Sequence, residues 1–270
     1  MPVIAKRATA PKQFTSWSAT RYLDYTTCPR RAYLKHIASR ENPILKEPGS
    51  PAMDRGTEIH GHAEAYIKGE DAHGKKVTRL HADLKSMADT LKMLRNLRKK
   101  SPGQVICEDN WAFTKGWDQT QWNDWNGCAV RIKLDVAWSD GLVLNIGDWK
   151  TGKFSGYKLP DYLLQQELYG LAGLLKFPKA EKVVPKLYFT DANVVYPRDP
   201  AIHPGTQDPP FEFVRKDEPK LIKLWDKRIK PMMNDTSFKA TPGDACKFCY
   251  YRANGPLADQ PGGAPCKYKG

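Results

Sequence analysis

No stretch of this 270-residue chain approaches the ~20 apolar residues of a membrane-spanning helix, so a helical membrane protein is excluded. The first residues, Met1 to Arg7, lack the long apolar segment of a secretory signal, and the chain is expected in the cytoplasm. Cysteine is sparse, at six residues, and in a reducing compartment disulfides are not the default. No segment repeats. Acid is scarce relative to base: 30 Asp and Glu face 43 Lys and Arg, for a net charge of +13. Such a surplus favours a polyanionic partner, nucleic acid above all. The length suits one large domain or two small ones.

The most informative segment is a hairpin. Residues 130–138 alternate, with apolar side chains at Val130, Ile132, Leu134 and Val136, the pattern of a half-buried strand. Asp140-Gly141 is a turn signal, and residues 142–149 are a second strand candidate, where Asp148-Trp149-Lys150 closes the apolar run 141–147. With Asp140 and Gly141 as the loop, Ser139 pairs with Leu142, Asp135 with Ile146 and Lys133 with Asp148. Asp135, Asp148 and Lys150 then share a face with Lys133 and Arg131, and the two acids are diagonal neighbours about 7 Å apart at the backbone. Two carboxylates and a lysine so placed suit metal-dependent phosphodiester chemistry: the acids hold a divalent cation, and the lysine orients water or offsets charge on phosphate. Solvated cross-strand ion pairs are the alternative reading.

Elsewhere the pattern predicts a basic leader over 1–14 and a helix from Ser16 or Ser18. A second helix follows over 30–36, after Thr27-Cys28-Pro29, then a Pro-rich loop over 39–53. A third helix, capped by Asp54 or Thr57, runs to about Ile67. A fourth over 79–100 carries the stripe Leu80, Leu84, Met87, Leu91, Leu94. Strands are expected over 104–113, with Glu108 in it, 183–190 and 194–196. A loop is expected over 115–127, helices over 159–175 and 219–233, and an irregular tail from Thr241. This order implies α/β architecture with a mixed sheet. Cys107 and Cys128 read as core residues. Cys246 and Cys249, a Cys-x-x-Cys in a polar tail, can grip a metal centre.

In order along the chain stand Ser16-x-Ser18, then Tyr25, Cys28-Pro29-Arg30-Arg31 and Tyr33, then Gly56-Thr57-Glu58-Ile59-His60. Asp135, Gly147-Asp148-Trp149-Lys150-Thr151-Gly152, Gln165-x-x-x-Tyr169 and the cysteine tail follow. This series resembles the RecB-like branch of the PD-(D/E)XK nuclease superfamily, which includes the AddB nuclease domain and the CRISPR-adaptation nucleases. The resemblance implies a restriction-endonuclease-like core, a central mixed sheet flanked by helices, with the chain ends joined by a cysteine-ligated cluster. It implies one nuclease domain over 1–270: a helical part over 15–100 with Cys28 and His60, a catalytic core over 104–196, and a cysteine tail over 241–270.

By position, His60, Asp135, Asp148 and the Trp149 carbonyl are implied ligands for Mg²⁺ or Mn²⁺. Lys150 is the implied catalytic lysine, Gln165 and Tyr169 the implied DNA-side helix pair, and Glu108 an assisting acid. A histidine in an oxygen-rich shell suits manganese and tolerates magnesium, whereas His62 points elsewhere. Cys28, Cys246, Cys249 and Cys266 are the implied ligands of a [4Fe-4S] cluster, with zinc the alternative. Here 16 residues separate Cys249 from Cys266, a longer gap than relatives have.

Lys133, Arg131, Lys153 and Lys158 are candidate phosphate contacts, and Trp149 and Tyr157 candidate base stackers. The implied enzyme is a deoxyribonuclease, an exonuclease by analogy. It would act on single-stranded DNA or duplex ends in recombination, repair or degradation in a bacterial or phage-infected cytoplasm, alone or with a helicase or recombination partner. A non-catalytic DNA-binding scaffold with a zinc or iron–sulfur staple is the alternative, and a zinc-stapled interaction module a third.

Overall fold

The computed structural model describes residues 13–209, 211–260 and 262–270. Most of the basic leader, residues 1–12, lies outside the described residues. Its last residue, Phe14, is buried rather than loose. The Ser18 hydroxyl accepts the Arg21 amide at 3.3 Å and opens α1 (Ala19–Thr27). Extended Cys28 then ends α1, and Pro29, whose ring presets the helical φ, starts α2 (Pro29–His36).

The next helix, α3 (Pro51–Lys68), begins earlier than expected. Ser50 caps it in place of Asp54 or Thr57, accepting the Met53 amide at 3.3 Å, and Pro51 stands at its first position. The expected 79–100 helix is split: a 3-10 segment, Ala82–Met87, precedes α4 (Ala88–Lys100). Leu84, Met87, Leu91 and Leu94 are nonetheless all buried, so the stripe marks the correct face across the break.

The strands are β1 (Val105–Phe113), β2 (Gln119–Thr120), β3 (Val130–Asp140) and β4 (Val143–Lys150). After α5 (Leu159–Lys176) come β5 (Lys182–Phe189), β6 (Val194–Tyr196), β7 (Phe213–Val214) and α6 (Glu218–Asn234). Two-residue strands carry no readable alternation, which is why β2 and β7 escape the sequence pattern. The described sheet runs β2-β1-β3-β4-β5-β6, with β7 also on β5. Only β4 and β5 are parallel, joined through α5, so the sheet is mixed and flanked by helices.

The hairpin register differs from the sequence expectation. Asp140 pairs with Val143, leaving Gly141 and Leu142 as the loop, and Val136 pairs with Gly147. Gly141 has φ 58, and a glycine at the first central position is the type II′ arrangement that matches strand twist. Every partner therefore moves by two residues, and parity survives. One step past the last bonded pair, Asp135 stands opposite Asp148 rather than diagonal to it.

The chain divides into two compact units. In Gly49–Lys223, α3 and α4 cover one sheet face. Ile59, Ala63, Leu84 and Leu91 pack there with Val136, Trp138, Trp149 and Tyr188. On the other face α5 lies so close that a Cβ on Gly173 would meet Leu144 and Val183 at 3.0–3.1 Å. The second unit joins the described stretch ending at Pro48 to Leu224–Gly270, so segments far apart in the chain share one core. Trp17 stacks on Trp225 with centroids 5.2 Å apart, and the Tyr25 hydroxyl lies 3.0 Å from Asp235 Oδ2. The buried Tyr251 donates its hydroxyl to the Leu45 carbonyl at 2.9 Å. Cys28 belongs to this unit and His60 to the other.

Candidate active site

The site forms where the β1–β3 ladder is interrupted. Bonded pairing runs Cys107 with Val136, then Asp109 with Leu134, skipping Glu108 and Asp135. Glu108 has φ 48, the left-handed region that costs a side-chain-bearing residue energy and that clusters at functional sites. Its carboxylate meets Lys133 Nζ at 3.2 Å. Asp135 is turned toward β4, where its Oδ2 accepts the Trp149 amide at 2.8 Å. Its Oδ1 lies 3.2 Å from Nδ1 of His60, which α3 supplies, and Glu108 Oε1 lies 3.9 Å from the same nitrogen. Ligand atoms of His60, Glu108 and Asp135 all fall within 4.8 Å of one another.

His60 Nε2 is 2.8 Å from the Trp149 carbonyl. A carbonyl only accepts, so Nε2 carries a proton. Nδ1 then faces carboxylates, an arrangement that needs either a second ring proton or a cation between them.

Asp148 and Lys150, two apart on β4, share the α5 face. Lys150 Nζ lies 2.6 Å from Asp148 Oδ2, donates to Gln165 Oε1 at 3.0 Å, and sits 4.7 Å from the Tyr162 ring centroid. Gln165 donates in turn to the Tyr169 hydroxyl at 2.7 Å, and that hydroxyl donates to the Lys133 carbonyl at 2.7 Å. The helix pair at i and i+4 is thus a strut running from the lysine back to β3. Tyr169 is buried. Burial, reinforced by Asp148 and Asp135, lifts its phenol well above the ordinary range, so it remains a donor.

The charges are crowded. Burial pushes Asp148 from 3.8 up to about 6; Lys150 and His60 pull against that, and Asp135 adds to it. Burial and then Asp135 raise Glu108, against the pull of Lys133 and His60. At His60 burial disfavours charge, but the hydrogen bond and charge of Asp135, with Asp148 and Glu108, outweigh it and hold the imidazole above its ordinary value. Desolvation likewise opposes charge on Lys150, and the Asp148 carboxylate outweighs it. Three acids crowded into one partly buried space, and a ring nitrogen aimed at two of them, fit a divalent ion in chemistry and in spacing.

Some expectations fail. Trp149 is only 2% exposed and packs on Tyr188 with centroids 4.9 Å apart, so it is a core residue and not a base stacker. Tyr157, at 91% exposure, is accessible, as are Lys153 and Lys158. His62 turns away to Glu58 and stacks on His81. Cys128 is buried and Cys107 packs against the α3–α4 core.

Sequence reasoning also missed a clamp. Asp191 accepts two guanidinium bonds from Arg55 at 2.8 Å each and the Gly152 amide at 2.9 Å. It ties α3, just before His60, to the chain just after Lys150. Only tertiary structure reveals that link, because nothing local marks Asp191.

In the second unit, Cys28, Cys246, Cys249 and Cys266 all line one pocket, beside Arg30, Arg31 and Arg252. All four are free thiols. Cys28 Sγ lies 3.5 Å from the Thr241 amide. Burial raises the Cys249 thiol; the Tyr251 amide and Arg31 lower it, while Cys266 and Cys28 raise it further. No three of these sulfurs lie within 4.8 Å of one another.

The profile of the PD-(D/E)XK nuclease superfamily matches residues 16–254. No curated protein matches the chain. Among solved structures the chain is similar to the crystal structure of SSO0001, at 14% identity and a TM-score of 0.43, over 91% of this chain and 87% of that one. Among the described residues no helix is long and apolar enough to cross a membrane.

Proposed function

The chain belongs to the PD-(D/E)XK nuclease superfamily, and we propose that it is a divalent-metal-dependent deoxyribonuclease whose centre is built from His60, Glu108, Asp135, Asp148 and Lys150. The observation that carries this reading is the convergence of His60, Glu108 and Asp135 within 4.8 Å, beside an Asp148–Lys150 pair at 2.6 Å.

Asp135, Asp148 and His60 would hold Mg²⁺ or Mn²⁺, with Glu108 as a further carboxylate and the Trp149 carbonyl offering its second lone pair. A divalent ion bound there supplies a water of lowered pKa and polarises phosphate. Lys150 keeps its proton beside Asp148 and offers a positive charge where phosphate becomes more negative. Gln165 fixes the direction of that ammonium, and Tyr169, anchored on the Lys133 carbonyl, fixes Gln165. Lys133, Arg131, Lys153 and Lys158 would supply salt-dependent, sequence-independent phosphate contacts. The net charge of +13 supports DNA as the polyanion.

Within the superfamily we assign the chain to the RecB-like branch, as an exonuclease acting in recombination, repair or DNA degradation in a bacterial or phage-infected cytoplasm. We further propose that the four cysteines hold a [4Fe-4S] cluster that staples the chain ends. What supports a shared centre is that all four thiols line one pocket; four thiolates suit a [4Fe-4S] cluster, with zinc the alternative.

The test is degradation of linear and circular, single- and double-stranded DNA with Mg²⁺ or Mn²⁺. Wild type should degrade linear DNA, and Lys150→Ala should be slower by roughly 10²–10³-fold, the usual cost of removing a group that stabilises transition-state charge. Equal degradation by both proteins would overturn the assignment, and degradation of closed circles as fast as linear DNA would overturn the exonuclease reading.

A further inference from the structure

We infer that Trp122, Trp125 and Arg131 form a platform that stacks unpaired bases of a DNA strand beside the acid cluster, which makes single-stranded DNA the preferred substrate form. This rests on the reading of that cluster as a DNA-cutting site. Trp125 is 80% exposed, the most exposed tryptophan among the described residues. The Arg131 guanidinium lies 5.3 Å from the Trp125 ring centroid and 5.7 Å from that of Trp122, and it donates to the Trp122 carbonyl at 3.3 Å. The result is a cationic, aromatic surface on which the Trp125 ring is open to solvent.

The loop that carries it is built rather than slack. Asp124 Oδ1 accepts the Gly127 amide at 2.8 Å and the Asn126 amide at 3.2 Å, and Oδ2 accepts the Thr120 hydroxyl at 2.8 Å. A Cβ at Gly127 would collide with that carboxylate, so glycine is what lets the turn close. A held loop displaying a bare indole loses little entropy when a base covers it.

Position then identifies the occupant. Pairing through residues 130–134 of β3 is unbroken, so Arg131 and Lys133 project from the same face, about 7 Å apart along the strand. Lys133 Nζ in turn touches Glu108, a member of the acid cluster. Aromatic and cationic groups thus lead toward the cluster at a spacing close to one nucleotide step. Bases inside a duplex are stacked on both faces and only the terminal pair is open, whereas each unpaired base can stack on indole regardless of sequence. An apolar protein partner would gain nothing from the guanidinium wedged against both rings.

The test is equilibrium binding of fluorescent oligodeoxythymidylate and of a blunt duplex, in EDTA so that nothing is cut, beside Trp125→Ala and Trp125→Phe. Trp125→Ala should weaken oligodeoxythymidylate binding roughly tenfold and duplex binding much less, with Trp125→Phe between, in line with measured base–aromatic stacking. Equal affinity of wild type and Trp125→Ala for the single strand would overturn the inference, as would equal losses on single strand and duplex. Self-association of the free protein that Trp125→Ala abolishes would also overturn it, by assigning the surface to a second copy. Because binding is read without metal, a chain that cuts nothing still gives a clear answer here, and the failure of the nuclease reading stays separate.

Discussion

Crowding at Asp148 makes the thermal stability of the core depend on metal and on pH together. Its carboxyl moves from 3.8 to about 6 on folding, a cost of about 3 kcal/mol once it is ionised. A folded carboxyl with a raised pKa binds more protons than the unfolded one, so stability falls as pH rises from about 4 to about 6 and stays low above that. A divalent cation bound to the ionised cluster offsets this loss. At a concentration about 100 times its dissociation constant it adds about 2.7 kcal/mol, which for a chain of this size raises the Tm by about 6 °C. At about pH 5 a proton competes at Asp148. With a pKa of about 6 the apparent affinity falls roughly tenfold, taking about 1.4 kcal/mol and half the Tm shift with it. The raised pKa of His60 acts in the same direction.

Differential scanning fluorimetry with Mn²⁺ at about pH 5 and about pH 7.5, below and above the Asp148 value, reads this directly. Asp135→Asn serves as control, because its amide oxygen can still accept the Trp149 amide while one negative charge leaves the cluster. It should keep a metal-free Tm within a few degrees of wild type and lose most of the Mn²⁺ shift. A Mn²⁺ shift of equal size at both pH values, or one retained in Asp135→Asn, would refute the reasoning.

Other outcomes follow from single contacts. Tyr169→Phe removes the hydroxyl that joins Gln165 to the Lys133 carbonyl, so stability should drop by about 1–2 kcal/mol and kcat more than KM should suffer, measured by denaturant melts and steady-state cleavage. Gly170→Ala should destabilise by about 1–3 kcal/mol despite the better helix propensity of alanine, because the new methyl would collide with the Phe213 ring; a melt showing a gain would count against the packing described. Protein purified without oxygen should be brown and contain iron and sulfide, and Cys246→Ser should lose the colour; a colourless wild type containing zinc would refute the cluster.

The local sequence determined a good deal. Alternation at Val130 to Val136 reported its strand, and the stripe at Leu84 to Leu94 marked the buried face though not the break between its 3-10 and α-helical parts, since such patterns reflect burial on one side of the backbone. Side-chain parity on the hairpin also survived a two-residue slip, because the period of a strand is two. The slip itself was not legible, as it depends on which loop position accepts a positive φ. Nor was the break at Glu108 and Asp135, which turns Asp135 into the acceptor for the Trp149 amide instead of a side chain standing off the sheet.

Tertiary structure alone decided the rest. Trp149 lies between a candidate ligand, Asp148, and the candidate catalytic Lys150 in sequence, yet its side chain points into the α3–α4 core, because neighbours on a strand face opposite ways. His60 meets Asp135 across 75 residues of chain, and the Asp191 clamp links segments that nothing local connects. Residue types that can hold a metal are chosen by the sequence. Which of them share one ångström-scale space is set by how α3, β1, β3 and β4 pack, since that distance is a sum over the whole fold.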